Sequence, residues 1–212
     1  MNGDQTLSRD ELMGLLTEVG AELHHDGLHG DLYLVGGAAI ALTLDTRRLT
    51  EDVDVMFRSA RRDVRSAAAE VAARHGLQAN WINAGAAAFV PDEEDPNAVT
   101  LDVPGLSISV ASPEHLLAMK MIAARPGRDW DDLALLFEHL GITEAQQALD
   151  IAQRVYGDND VIMADPPESY LYLARDVLRL MGRRSEAGGA ARPADPARWS
   201  APPDGDPSVV SD

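Results

Sequence analysis

The segment from residue 32 to residue 57 constrains the fold more than any other part of the sequence. A short apolar run, Leu32 to Val35, ends at Gly36 and Gly37, and good helix formers follow. Apolar residues then alternate with others from Val53 to Phe57, which is the period of a strand with one buried face. A buried strand, a glycine turn, a short helix and a second strand are therefore expected, and the two strands require a sheet.

The flanking sequence predicts further helices and strands. Ser8 and Glu11 have capping-box spacing at the start of a first helix that ends near Gly27. Further helices are expected at 38–44, 61–75, from Ser112 to a break at 125–127, and at 131–140, 143–156 and 168–181. Further strands are expected near 77–82, 87–90 and 99–110, with an acidic turn at 92–96.

This order of elements predicts a mixed α/β (α+β) fold. Residues 1–112 form a small mixed sheet with flanking helices, and residues 113–182 form a helical lobe. Residues 183–212 are rich in Pro, Gly, Ala and Asp and lack apolar periodicity, so we expect a disordered tail.

Composition narrows the chemistry. The 212-residue chain contains no cysteine, which excludes disulfides, thiolate zinc sites and a cysteine nucleophile. Its amino terminus is polar and acidic, and no apolar run approaches the roughly 18 residues of a membrane span. We therefore expect a soluble, cytoplasmic protein with no membrane partner.

The net charge of −17 disfavours non-specific binding to nucleic acid. An RNA or DNA substrate would need a local basic patch, and one candidate consists of Arg47, Arg48, Arg58, Arg61, Arg62 and Arg65. The alternative is an arginine-rich helix face that is simply solvated.

Two carboxylates carry the strongest chemical signal. Asp52 and Asp54 are two residues apart on a predicted strand, so they share a face and can bind one hard cation, Mg²⁺ or Mn²⁺. Gly36 and Gly37 let the backbone approach a ligand, and the helix after them directs free amide groups at an anion. These parts suit an NTP and the transfer of a phosphoryl or nucleotidyl group.

The combination of the Gly36-Gly37 turn, a short helix, the Asp52-Val-Asp54 strand and the later Leu101-Asp102-Val103 strand resembles the polymerase-β-like nucleotidyltransferase superfamily. Within it, the chain is most similar to the AbiEii and MenT group of bacterial toxin-like nucleotidyltransferases. That likeness includes Lys120 and the Arg128-Asp129 pair with Asp132 after it, and it spans roughly residues 32–140.

The resemblance implies a role for each matching residue. Gly36 and Gly37 would bind the triphosphate, and Asp52 and Asp54 would bind the metal. Asp102 would be a third metal-binding carboxylate that accepts the proton of the attacking hydroxyl. Its alternative is an aspartate that opens the turn at 103–105.

The resemblance implies that Lys120, Arg128, Asp129 and Asp132 also bind the nucleotide. Thr50 is a further candidate, because its hydroxyl could bond a phosphate or a metal ligand, with Arg48 beside it; the alternative is a loop threonine that simply precedes a strand. Lys120 would reach the phosphates and contribute to catalysis, or it is a surface lysine whose stem packs on apolar neighbours. Asp129 and Asp132 start a predicted helix, so capping and compensation of the helix dipole are the alternative for them.

The resemblance further implies transfer of a nucleoside monophosphate from an NTP to an acceptor hydroxyl. It points to a toxin of a toxin-antitoxin pair that modifies tRNA and has a cognate antitoxin. Two alternatives stay open: a nucleotidyltransferase for a protein or a small molecule, and a catalytically silent module of the same fold that binds a nucleotide or a partner.

Overall fold

Seven α-helices and five β-strands form the described part of the chain. The structure is a computed structural model that describes residues 6–124, 129–157 and 162–187. The helices are α1 (Arg9–His25), α2 (Gly36–Thr43), α3 (Arg61–His75), α4 (Pro113–Ile122), α5 (Trp130–Leu140), α6 (Ala145–Tyr156) and α7 (Pro167–Ala187). The strands are β1 (Gly30–Val35), β2 (Val53–Ser59), β3 (Ile82–Asn83), β4 (Val99–Val103) and β5 (Leu106–Val110).

The strands form one mixed sheet in the order β3-β2-β1-β5-β4. β1 pairs antiparallel with β2 and parallel with β5, β2 pairs parallel with β3, and β4 and β5 form an antiparallel hairpin. The predicted mixed α/β fold, with a small sheet before a group of helices, is confirmed.

One face of the sheet is apolar and packs against α1 and α3. Leu32, Leu34, Val53, Val55 and Ile108 on this face are fully buried, in keeping with the period of two seen in the sequence. Burial of each such side chain contributes about 1.5–3 kcal/mol. The capping box of α1 forms as predicted, with Ser8 and Glu11 bonded to each other's backbone.

The opposite face of the sheet is polar and is tied to the helical lobe through Asp95. Tyr33 on β1 donates a hydrogen bond from its hydroxyl to Asp95 (2.8 Å), and the amide of Ser112, at the start of α4, donates to the same carboxylate (2.7 Å). Burial and the neighbouring Asp95 carboxylate raise the pKa of Tyr33, so its hydroxyl remains a donor. These bonds fix α4 relative to the sheet.

The lobe consists of α4 to α7, which pack against one another. α4 contacts α5, α6 and α7, and α7 also contacts α5 and α6. Leu116 and Leu117 of α4 and Leu133 and Phe137 of α5 are at most 1% exposed. α4 is therefore central to the lobe and, through Asp95, is joined to the sheet.

The predicted strands between residues 77 and 90 are wrong in their bounds. β3 covers only Ile82 and Asn83, and Ala87–Phe89 is a 3-10 helix rather than a strand. The segment 84–88 is Ala-Gly-Ala-Ala-Ala, which lacks the β-branched and aromatic residues that stabilise strands. The predicted strand at 99–110 is the β4-β5 hairpin, with its turn at Pro104-Gly105.

Two helix ends also differ from the prediction. α2 begins at Gly36, so the two glycines are its first residues rather than a turn before it. α7 continues to Ala187, beyond the predicted end at Met181, and Arg184 in its extension pairs with Asp131 of α5. The remainder of the predicted tail, 188–212, lies outside the described residues.

Candidate active site

Strand β2 begins at a pair of carboxylates. Asp52 lies immediately before the strand and is exposed, while Asp54 is its second residue and half-buried. Asp54 pairs in register with Val35, the last residue of β1. This pairing places Asp54 beside the first turn of α2, as the sequence predicts.

Gly36 is required at this junction for two reasons. Its φ is +68°, a left-handed conformation that side-chain-bearing residues rarely adopt. A Cβ at Gly36 would also lie 3.1 Å from Oδ2 of Asp54, and only a glycine leaves that space open. The unpaired amide groups of the first turn of α2 thus lie next to the carboxylate pair, where an anion could accept their hydrogen bonds.

Gly37 faces the loop that precedes β2. A Cβ there would lie 3.3 Å from Oγ1 of Thr50 and 3.7 Å from the guanidinium of Arg48. The Thr50 hydroxyl donates to the backbone carbonyl of Asp52 (2.9 Å), and its backbone bonds in both directions with Leu7. Thr50 therefore fixes the backbone just before the carboxylates.

The helical lobe contributes a buried ionic network. The Arg48 guanidinium donates two hydrogen bonds to the Asp132 carboxylate. Nζ of Lys120 lies 2.8 Å from Asp132 and 2.9 Å from Asp129. Asp129 and Asp132 are each only 4% exposed, so charge pairing compensates for their loss of hydration.

A cavity of about 350 Å³ separates the two groups. The charged side chains of Asp54, Lys120 and Asp129 line it, together with Gly36 and Gly85. The rest of its wall is apolar and comes from the 3-10 helix and α4: Ala86, Phe89, Leu116, Met119 and Ala123. A cleft with a few polar groups and an apolar wall is typical of a small-molecule site.

The charges and donors around this cavity suit a phosphate ester. Lys120 supplies a cationic hydrogen-bond donor at the cavity wall, which suits an anion. Asp52 and Asp54 supply the hard oxygen ligands that Mg²⁺ uses together with phosphate oxygens and water. Within the described ranges, no group of three or more His, Asp or Glu residues is arranged to hold a metal.

A comparison with protein families identifies the chemistry. Residues 10–162 match a family model described as "Nucleotidyltransferase of unknown function (DUF6036)". The chain belongs to this nucleotidyltransferase family. Neither the curated proteins nor the solved structures contain a match to it.

The match covers the sheet, the carboxylate pair and most of the helical lobe of this nucleotidyltransferase. The predicted assignment to the nucleotidyltransferases is therefore confirmed at the level of the family. An NTP substrate follows from that chemistry, whereas the AbiEii and MenT likeness receives no support from the family description.

The structure does not bring Asp102 to the active site. Asp102 shares the polar sheet face with Asp54, but β1 and β5 lie between their strands, and the register moves it to the other end of the sheet. The offset is about 13 Å along the strands and about 14 Å across them. Asp102 instead accepts a hydrogen bond from Ser107, which contacts His29. The expectation of a third metal-binding carboxylate at Asp102 is therefore corrected.

Of the other predicted nucleotide-binding residues, Arg48, Lys120, Asp129 and Asp132 come together, while Arg128 lies outside the described residues. The alternative of a surface lysine does not fit Lys120, whose side chain is 17% exposed and paired with two buried carboxylates. Likewise, the Asp129 side chain makes no capping hydrogen bond at the start of α5. Asp129 and Asp132 are therefore members of an ionic network rather than simple caps.

Two residues that the sequence interpretation missed border the site. Asn83 donates a hydrogen bond to Asp52, and Gly85 lines the cavity. An isolated asparagine next to an alanine-rich segment has no distinctive spacing. Only the pairing of β3 with β2 shows its position.

No helix within the described residues has both the length and the apolar composition needed to cross a membrane.

Proposed function

We propose that this nucleotidyltransferase is metal-dependent and transfers a nucleoside monophosphate from an NTP to the hydroxyl group of a tRNA, as a toxin controlled by a cognate antitoxin. The observation that carries the catalytic part is the arrangement of Asp54 and Gly36 opposite Lys120 across one cavity, with Asp52 immediately before β2. The acceptor and the toxin role rest on the resemblance of the sequence to the AbiEii and MenT group.

The reaction forms a bond between the acceptor oxygen and the α-phosphorus of the NTP, while the bond from that phosphorus to the β-phosphate oxygen breaks and pyrophosphate leaves. A bound Mg²⁺ or Mn²⁺ would neutralise phosphate charge and favour ionisation of the attacking hydroxyl. Asp52 and Asp54 would hold the cation. The hydroxyl proton would pass to a carboxylate or a water molecule at the site.

The remaining residues position the nucleotide. The first-turn amides of α2, next to Gly36 at the cavity, would bind phosphate oxygens. Lys120 would balance charge on the leaving pyrophosphate. The apolar wall formed by Phe89, Leu116 and Met119 suits the base or the ribose of the nucleotide.

A row of arginines favours a polyanionic acceptor. Arg58 lies on the same sheet face as Asp54, stacks on the Tyr33 ring at 5.0 Å and donates to Ser109. Arg61 stacks on Phe57 at 5.7 Å. Within the described ranges none of Arg58, Arg61, Arg62 and Arg65 forms an ion pair with an acid. In a chain of net charge −17, such a surface provides the local positive potential that RNA requires.

The first experiment incubates purified protein with Mg²⁺ and each labelled NTP in turn, together with total tRNA, total protein or no acceptor. Wild type is compared with Asp52→Asn, Asp54→Asn and Asp102→Asn. We expect wild type and Asp102→Asn to label tRNA, and we expect labelling to fall at least ~100-fold in the other two variants. Asp102→Asn is the matched control because the same residue type is changed on the same sheet face, away from the cavity.

The acceptor is tested in the same assay with Arg58→Gln, against Arg154→Gln, an exposed arginine already paired with Glu114. We expect only Arg58→Gln to weaken tRNA labelling and to reduce its salt dependence. Labelling of protein instead of tRNA would overturn the acceptor. Growth arrest on expression that Asp54→Asn relieves would support the toxin role, and normal growth would oppose it.

Retained NTP binding without transfer to any acceptor would contradict catalysis. It would favour the alternative of a silent binding module of the same fold.

A further inference from the structure

We propose that Asn83 is a positioning residue that orients the Asp52 carboxylate for cation binding. This inference rests on the proposed metal-dependent function. Asn83 lies next to Asp52 and Asp54. Its side-chain amide donates a hydrogen bond through Nδ2 and accepts one through Oδ1.

The backbone of Asn83 is held firmly in place. β3 pairs parallel with the start of β2, with Asn83 opposite Asp54. Trp81, the residue immediately before β3, is 2% exposed, accepts a backbone hydrogen bond from Val53 (2.7 Å) and donates from its indole to the carbonyl of Ala68 (2.9 Å). Asn83 therefore extends from an anchored segment, so its side chain has a defined starting point.

Hydrogen-bond donors and acceptors determine which way the amide points. The backbone N–H of Gly85 can only donate, and it lies 2.7 Å from Oδ1 of Asn83. The amide nitrogen Nδ2 must then face the other way, where it donates to Oδ2 of Asp52 at 3.0 Å. An aspartate at position 83 could accept from Gly85 but could not donate to Asp52.

The turn that completes this arrangement excludes larger residues. A Cβ at Gly85 would lie 2.9 Å from Oδ1 of Asn83 and 3.4 Å from Oδ1 of Asp54. The Asn83 side chain and the Gly85 backbone thus lie directly against the two carboxylates.

The bond to Asn83 has a specific consequence for the cation. Asp52 is exposed, so without a partner its side chain would sample several rotamers. Cation binding would then be opposed by the loss of side-chain conformational entropy. A neutral amide bonded to Oδ2 restricts the carboxylate without cancelling its charge. Outer residues that orient a metal ligand in this way typically change affinity about 10–100-fold.

The test measures Mn²⁺ binding directly, without a nucleotide and without turnover. Free Mn²⁺ is followed by electron paramagnetic resonance in titrations of wild type, Asn83→Leu and Asn83→Asp, and folding is checked by circular dichroism. The matched control is Asn97→Leu, which changes an exposed asparagine in the loop that contains Asp95. We expect Asn83→Leu to weaken Mn²⁺ binding about 10-fold or more and Asn97→Leu to leave it unchanged.

Asn83→Asp allows an independent test, in which the melting temperature is measured with and without Mn²⁺. A third carboxylate beside Asp52 and Asp54 adds like-charge repulsion that a divalent cation relieves. In EDTA we expect Asn83→Asp to have a lower melting temperature than wild type. Addition of Mn²⁺ should raise the melting temperature of Asn83→Asp by more than it raises that of wild type. A purely structural role for Asn83 would lower the melting temperature equally with and without Mn²⁺, and that result would overturn the proposal.

The outcomes separate this inference from the proposed function. Wild type that binds Mn²⁺ with the same affinity as Asn83→Leu would overturn the role of Asn83 and leave metal dependence intact. Wild type that binds no Mn²⁺ in these titrations would overturn the role of Asn83 in cation binding, and a repeat with NTP added that also shows no Mn²⁺ binding would overturn the metal dependence itself.

Discussion

The acids on the two sides of the active site have opposite surroundings. Asp52, on the sheet side, is exposed, and its carboxylate is bonded to a neutral amide. Asp132, on the helical side, is 4% exposed and bonded to both Arg48 and Lys120. The same side chain is therefore accessible to a cation in one place and already neutralised by the fold in the other.

This difference indicates two kinds of function for carboxylates at one site. For a buried carboxylate that bonds two cationic side chains, exchange of a partner has a high free-energy cost, because the exchange leaves a buried charge without compensation. Asp132 therefore holds Arg48 and Lys120 at fixed positions, and Lys120 lines the cavity. Asp52 keeps one neutral hydrogen-bond partner, so its charge remains available for the cation binding proposed above.

The largest expected effect is on the buried side of the comparison. We expect Asp132→Asn to lower the free energy of unfolding by about 2–4 kcal/mol, because it leaves Arg48 without its acidic partner and Lys120 with Asp129 alone. The value lies below that of a fully buried pair because the Arg48 side chain is 29% exposed. Equilibrium urea unfolding, followed by circular dichroism, measures the change.

Asp131→Asn is the matched control on the same helix. The Asp131 side chain is 74% exposed and pairs only with Arg184 at the surface, so we expect a change below about 0.5 kcal/mol. Equal losses for the two variants would show that burial does not distinguish the carboxylates of α5.

A smaller effect should appear as pH dependence at the junction between sheet and lobe. His115 is buried, and its Nδ1 lies 3.3 Å from Asp95. Burial lowers the pKa of His115, and Asp95 and Glu114 oppose this in part. Because the folded pKa lies below the ordinary value of 6.5, the unfolded chain binds the proton first, and stability present above pH 6.5 is lost as the pH falls towards the folded pKa.

We therefore expect the free energy of unfolding of wild type to fall between pH 7.5 and pH 5.5, by less than the loss caused by Asp132→Asn. His115→Asn should make this dependence on pH smaller. Urea unfolding at both pH values measures it. The exposed His29→Asn serves as the control, and a wild-type slope that His115→Asn leaves unchanged would contradict the assignment.

The sequence predicted those parts of the fold and the site that depend on local patterns. The capping box at Ser8, the alternation in β2 and the two glycines that open α2 are all encoded within a few residues. The carboxylate pair belongs to this class, because its common face follows from the period of a single strand.

Contacts between distant segments could not be predicted in this way. Arg48 and Asp132 are 84 positions apart, and no local pattern indicates that they pair. Asp102 illustrates this limit most clearly. The alternation of residues along β4 predicts the sheet face on which Asp102 lies, but the register of the β4-β5 hairpin determines at which end of the sheet it lies. Asn83 was missed for the same reason, since its role depends on the pairing of β3 with β2.

The smallest expected effect on stability is at Asp52, and it is the sharpest test of the comparison. Asp52→Asn removes an exposed charge whose partner is neutral, so we expect the free energy of unfolding to change by less than about 0.5 kcal/mol. Relief of repulsion with Asp54 should make any change stabilising.

The same variant should lose the rise in melting temperature that Mn²⁺ is expected to produce in wild type, because the proposed carboxylate ligand is gone. Urea unfolding and thermal unfolding with and without Mn²⁺ measure the two quantities. A loss of stability comparable to that of Asp132→Asn would mean that Asp52 is part of the fold's internal charge balance, and the distinction between the two carboxylates would not hold.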